Sequence, residues 1–267
     1  MKIAFSTALL CALPLSAQTS VPNPPAQTTP TATVSTPSPS PAAQIEEMQA
    51  KLADWAELDR YRADNATLPP PAPGAQRVVF YGDSITDGWG RIRGVFFPGK
   101  PYVNRGISGQ TTPQMLVRFQ QDVVHLKPAA VVILAGTNDI AGNTGPATPE
   151  MIEDNFASMA AIAHQSSIKL IIASILPAYA YPWKPGVQPA EEIRSLNEWL
   201  KDFCRKDGDV YLDYYSAMTD ERGGMKPGLS TDGVHPTAEG YAVMSPLADK
   251  AIAQALQSDI TPAPASD

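Results

Sequence analysis

Five short apolar runs mark the chain between residues 77 and 215: Val78-Val79-Phe80-Tyr81, Tyr102-Val103, Val131-Val132-Ile133-Leu134, Leu170-Ile171-Ile172-Ala173 and Val210-Tyr211-Leu212. Longer stretches with apolar residues at three- and four-residue steps lie between and after them, over about 111–124, 149–166, 189–206 and 237–257. Near-continuous apolar strands alternating with helices are the signature of parallel strands covered on both faces. The pattern predicts an α/β fold, a three-layer α/β/α sandwich with a five-stranded parallel sheet. In such sheets ligands bind beyond the carboxyl ends of the strands, so chemistry is expected immediately after each run.

Upstream the texture differs. Ile45, Met48, Leu52, Trp55, Leu58 and Tyr61 recur with helical spacing, which predicts an amphipathic helix over 44–62 on the outside of the domain, with a connector ended by Pro69-Pro70-Pro71. Residues 18–43 are rich in Pro, Thr, Ser, Ala and Gln, and bury too little apolar surface to offset their ordering entropy; they read as an extended linker. The first 17 residues have the form of a secretory signal peptide: Lys2, an apolar run from Ile3 to Leu13, then small residues with cleavage expected near Ala17. That run is too short to span a bilayer. The expected organisation is therefore leader 1–17, linker 18–43, helix and connector 44–76, α/β domain 77–258 and a disordered tail 259–267, in a protein exported to the periplasm or the outside.

The formal charge of −7, one unit more negative once Lys2 leaves with the leader, and the absence of any basic run argue against nucleic acid or an anionic membrane as a partner. Only two cysteines occur. Cys11 departs with the leader, so Cys204 has no disulfide partner in the mature chain, and its helical surroundings predict a buried thiol.

The loops after the apolar runs carry the candidate chemistry. The first run leads into Gly82-Asp83-Ser84, where Ser84 either presents a nucleophilic hydroxyl or, with Asp83, caps the helix that follows. Histidine is scarce. His125 sits at a helix end and His164 in an Ala-rich helix, whereas His235 lies in Ser230-Thr231-Asp232-Gly233-Val234-His235-Pro236, between the last strand and the last helix. Asp232, three residues before it, can hold the Nδ1 proton and leave Nε2 free for a serine. Gly136-Thr137-Asn138-Asp139 follows the third run; Asn138 is either an oxyanion donor or a turn residue. Ile107-Ser108-Gly109-Gln110 follows the second, and a glycine there lets a backbone N–H approach a ligand closely.

Taken together, Gly82-Asp83-Ser84, the segment from Asn104 to Gly109, Gly136-Thr137-Asn138-Asp139 and Asp232-Gly233-Val234-His235-Pro236 resemble, in order and spacing, the four blocks of the SGNH (GDSL-type) hydrolases. The resemblance covers residues 77–256 and is nearest to the branch that holds platelet-activating-factor acetylhydrolase catalytic subunits and bacterial carbohydrate acetylesterases. It implies a flavodoxin-like sandwich and a metal-independent serine esterase, with Ser84, His235 and Asp232 as catalytic triad and Ser84 N–H, Gly109 N–H and the Asn138 side chain as oxyanion hole. No cofactor is expected, since the sequence has no H-E-x-x-H, C-x-x-C or phosphate-loop motif. The expected substrate is a small-molecule or glycan ester with a short acyl group. A lysophospholipase-type lipid acylhydrolase is the alternative, and a non-catalytic glycan-binding module a more distant one. Tyr179, Tyr181 and Trp183, in the Pro-rich loop after the fourth run, are candidate substrate contacts or packing residues.

Overall fold

The computed structural model describes residues 40–257. The expected leader, nearly all of the linker and the tail fall outside them. From Ile45 onward the described residues form one compact unit. In chain order the elements are α1 (Pro41–Ala53), α2 (Arg62–Thr67), β1 (Val78–Gly82), α3 (Ser84–Gly88), β2 (Tyr102–Gly106), α4 (Thr112–Asp122), β3 (Ala130–Leu134), α5 (Thr137–Ile140), α6 (Pro149–Gln165), β4 (Lys169–Ala173), α7 (Ala190–Asp207), β5 (Val210–Leu212), α8 (Tyr215–Met218) and α9 (Ala238–Gln257), with a 3-10 turn at Val124–Leu126.

The strands form one parallel sheet of order β2-β1-β3-β4-β5. All five residues of β1 and of β3 are buried. Alternate residues serve opposite layers: Val79, Tyr81, Val131 and Ile133 pack with Phe119, Phe156, Leu196 and Leu200, while Val78, Phe80 and Val132 pack with Tyr241, Met244, Ala248 and Ile252. Each such side chain contributes about 1.5–3 kcal/mol by leaving water, which is why the runs read as continuously apolar. In register Gly82 stands level with Gly106 and Leu134, so the loops after β1, β2 and β3 leave from one edge.

One boundary differs from the pattern. The expected helix over 44–62 stops at Ala53, although Trp55, Leu58 and Tyr61 keep helical spacing. The Asp54 carboxylate accepts the N–H groups of Leu58 (2.8 Å) and Asp59 (3.0 Å), and Glu57 takes φ +54°, so a local side-chain capture replaces the helical bonds before α2 begins. Cys204 is buried, and desolvation pushes its thiol up to about 12, as an inert core cysteine requires.

Candidate active site

At the end of β1 the backbone turns where no side chain fits: a Cβ on Gly82 would lie 2.6 Å from the Leu134 carbonyl oxygen. Asp83 then caps α3, its Oδ1 accepting the Ile85 N–H at 2.9 Å. Ser84 is the first residue of that helix, where a backbone N–H has no intrahelical acceptor. Its Oγ lies 2.9 Å from His235 Nε2.

His235 is held by its own loop. A bridge between Ser230 and Pro236 closes the loop, and Ser230 Oγ donates to the His235 carbonyl at 2.8 Å. Asp232 Oδ1 accepts the N–H groups of Val234 (3.0 Å) and His235 (2.8 Å), and Oδ2 lies 2.7 Å from His235 Nδ1. With the Nδ1 proton given to the carboxylate, Nε2 is left as acceptor for the Ser84 hydroxyl. Partial burial opposes ionisation of Asp232, yet the His235 N–H, the His235 ring and the Val234 N–H together hold its carboxyl well below the usual range.

The structure also brings Gly109 and Asn138 to this edge. Gly109 has φ +81° with open space beside its Cα, so backbone conformation rather than crowding calls for glycine. Asn138, on α5, is buried; its Nδ2 donates to the Gln110 carbonyl at 3.0 Å and, at a longer 3.3 Å, to Asp83 Oδ2. Its Oδ1 accepts from Asn143 Nδ2 at 2.8 Å. Asp139 ties α5 to α4 by accepting from the Thr112 N–H (3.0 Å) and hydroxyl (2.6 Å). Burial raises both neighbouring carboxyls, Asp83 to about 7 and Asp139 to about 6.

The three aromatic candidates separate. Trp183 is 41% exposed, with its ring centroid 6.1 Å from that of His235 and its Nε1 donating to Asn143 Oδ1 at 3.1 Å. Tyr181 is only 2% exposed; it stacks behind Trp183 at 5.1 Å and shares a 3.0 Å hydrogen bond with the Thr137 hydroxyl, so it supports Trp183 from the core rather than offering a face of its own. Tyr179 is exposed and lies under the Arg222 guanidinium. His125 falls in the 3-10 turn, and His164 pairs with Asp209 at 2.8 Å on the surface. A cleft of about 230 Å³ opens on Ser84, lined also by His235, Asp232, Ser108, Arg93 and Tyr241. Sequence reasoning gave no role to Gln110, although it ends the Ile107–Gln110 loop, and passed over Arg118 and Asn143; all three are polar residues in contact with the candidate loops, and Arg118 and Asn143 belong to no apolar period or short motif. Among the described residues no group of three or more His, Cys, Asp or Glu side chains could hold a metal ion, and no helix is long and apolar enough to cross a membrane.

Residues 80–243 match the family described as GDSL-like Lipase/Acylhydrolase. The solved structure of a candidate acylhydrolase from Bacteroides fragilis superposes with a TM-score of 0.74 at 45% identity, over 76% of this chain and 98% of that one. An acetylxylan esterase from Xylanibacter ruminicola is 25% identical over 222 residues, 70% of this chain; the match spans only 45% of that enzyme's length. Esterase TesA of Pseudomonas aeruginosa is 30% identical over 179 residues, 61% of this chain and 80% of that esterase.

Proposed function

The chain belongs to the GDSL-like lipase/acylhydrolase family and is a carboxylic-ester hydrolase, and we propose that it is an exported serine esterase that removes short acyl groups, above all acetyl, from carbohydrate. The observation that carries this reading is the continuous relay from Ser84 Oγ through His235 to Asp232, at 2.9 and 2.7 Å. In the proposed mechanism Ser84 Oγ attacks the ester carbonyl as its proton passes to His235 Nε2, and Asp232 stabilises the imidazolium so formed. The oxyanion receives hydrogen bonds from Ser84 N–H, Gly109 N–H and Asn138 Nδ2, whose long 3.3 Å contact to Asp83 is the one it gives up. His235 returns the proton to the leaving alkoxide. Water then attacks the acyl-enzyme by the same route, and Ser84 is regenerated.

A cleft of about 230 Å³ is smaller than pockets that take drug-sized ligands, and this supports a short acyl group. The exposed face of Trp183 beside His235 is suited to a sugar ring, and an acetylxylan esterase is among the relatives. Export rests on the leader pattern of residues 1–17, which lie outside the described residues.

The test is a series of nitrophenyl esters of increasing chain length, together with acetate release from acetylated xylan. The expected result is a rate greatest for acetate and falling with length, abolished by Ser84→Ala at unchanged melting temperature, with a phosphonate labelling Ser84. Rates that climb with chain length would instead make the protein a lipid acylhydrolase, and labelling of Ser108 would displace Ser84 as nucleophile.

A further inference from the structure

The residues upstream of the family-matched region do more than precede it. Between Trp55 and Asn65 the chain is fastened at three points to the end of β2 and to the loop after it, which carries Gly109. Asn65 Oδ1 accepts from Arg105 Nε at 2.8 Å, the Tyr61 hydroxyl donates to the Gly106 carbonyl, and the Ala56 carbonyl accepts from Gln110 Nε2 at 2.8 Å. Further bonds fix the same stretch to α4: Gln114 Nε2 to the Trp55 carbonyl (2.6 Å), Gln121 Nε2 to the Leu58 carbonyl (2.7 Å) and Asn65 Nδ2 to Asp122 Oδ1 (2.7 Å). The Tyr61 ring is held beneath two guanidiniums, those of Arg60 at 4.9 Å and Arg105 at 4.7 Å.

These bonds converge on one buried cation. Arg118, fully buried, donates from Nε to Gln110 Oε1 (2.5 Å), from Nη1 to the Arg105 carbonyl (2.9 Å) and Asp122 Oδ2 (3.2 Å), and from Nη2 to the Gly82 carbonyl (3.0 Å), two residues before Ser84. Gln110 is the meeting point. Its side chain spans the upstream segment and Arg118, while its own carbonyl receives the Asn138 carboxamide at 3.0 Å.

We propose that residues 54–65 form a positioning strap for the oxyanion hole, acting through Gln110 on the Gly109 N–H and on Asn138. The inference rests on the oxyanion assignment made above. A donor on a loop is useful only if it is fixed within about 0.5 Å of the productive geometry, and a displacement near 1 Å can cost about a hundredfold in rate. Gly109 has positive φ and open space where a Cβ would stand, and its carbonyl accepts one long bond, from the exposed Asn143 Nδ2 at 3.3 Å; the buried bonds on either side, at Gly106 and Gln110, both come from residues 54–65.

The experiment compares three variants of the full chain on nitrophenyl acetate. Gln110→Ala is expected to lower kcat by about ten- to a hundredfold with KM within about twofold, and to slow phosphonate labelling of Ser84 in parallel. Tyr61→Phe removes one hydroxyl and keeps the ring, so it reads out the strap even if Gln110→Ala does not fold; a severalfold loss of kcat is expected. Arg77→Ala is the control. Arg77 bonds the Pro69 and Leu126 carbonyls at the opposite end of β1, so it should lower the melting temperature and leave kcat intact. Unchanged kcat in folded Tyr61→Phe and Gln110→Ala, or an equal loss in Arg77→Ala, would overturn the strap. A native protein inactive on every ester would remove the esterase reading itself, which is a separate outcome.

Discussion

Asn138→Ala separates catalysis from architecture, because the two roles of this side chain have different signatures. If the carboxamide donates to the developing oxyanion, its removal should lower kcat by about a hundred- to a thousandfold, or roughly 3–4 kcal/mol of transition-state stabilisation, with little change in KM. The same substitution also removes three hydrogen bonds at a buried position: to the Gln110 carbonyl, to Asp83, and from Asn143. The Asp83 contact is long, and Asp83 keeps its bond from the Ile85 N–H; Asn143 is exposed and can turn to water. The Gln110 carbonyl is the group left without Asn138. One buried acceptor left unpaired and two bonds only partly replaced together cost about 2–3 kcal/mol. For a domain of this size that lowers the melting temperature by about 5–10 °C. Steady-state kinetics and a thermal scan on one purified variant measure both. A folded protein with turnover within about threefold of the parent would remove Asn138 from the oxyanion hole, whatever its melting temperature.

Two predictions concern pH. Ester hydrolysis should fall in acid, because a protonated His235 cannot accept the Ser84 proton; a rate unchanged by acidification while the protein stays folded would refute the role. Stability should move the other way. Burial raises Asp83 to about 7 and Asp139 to about 6, so the native state holds these protons more tightly than the unfolded chain. The stability they contribute is fully present below the unfolded value of about 3.9 and is lost as pH rises to the folded values. Asp232 is depressed, so its contribution is present above the unfolded value and lost in acid. The melting temperature at constant ionic strength should therefore decline from about pH 5 to 8, and Asp83→Asn should flatten that decline; an unaltered slope in the variant would contradict the assignment.

The sheet was legible because each of its central strands is buried on both faces, leaving runs such as Val131-Val132-Ile133-Leu134 with no polar interruption. The loops that meet at the site were legible for a related reason: in a parallel sheet every strand ends at the same edge, so Ser84, Gly109 and Asn138 could be placed together without knowing the strand order. Side-chain captures of the backbone were not legible. Asp54 ends α1 by accepting two N–H groups, and nothing in the spacing of Trp55, Leu58 and Tyr61 announces it. Buried polar networks escape for the same cause. Arg118 and Gln110 sit in the interior because their hydrogen bonds are satisfied there, and hydrophobic periodicity carries no record of that. The loop after β4 shows the limit for aromatics, since composition alone does not tell exposed Trp183 from buried Tyr181.

Asp83, Asp139 and Asp232 all stand close to the candidate site, and their environments push them apart. Asp83 and Asp139 are buried among neutral donors, and desolvation outweighs the bonds each receives. Asp232 lies in a more open loop, where two backbone N–H groups and the imidazole reverse the effect of burial. A carboxyl that readily stays neutral is a poor partner for an imidazolium; one held ionised is a good one. The same contrast fits the places of the other two in the chain. Ionisation of Asp83, one residue before the proposed nucleophile, would add negative charge beside the proposed oxyanion and oppose the step the hole must favour. A protonated Asp83 keeps the Ile85 N–H bond that caps α3, so the helix start that aims Ser84 does not depend on a charge there. In the proposed mechanism, an ionised carboxylate behind His235 and one that resists ionisation beside the hole would let a single small site stabilise a cation on one side of the substrate and an anion on the other.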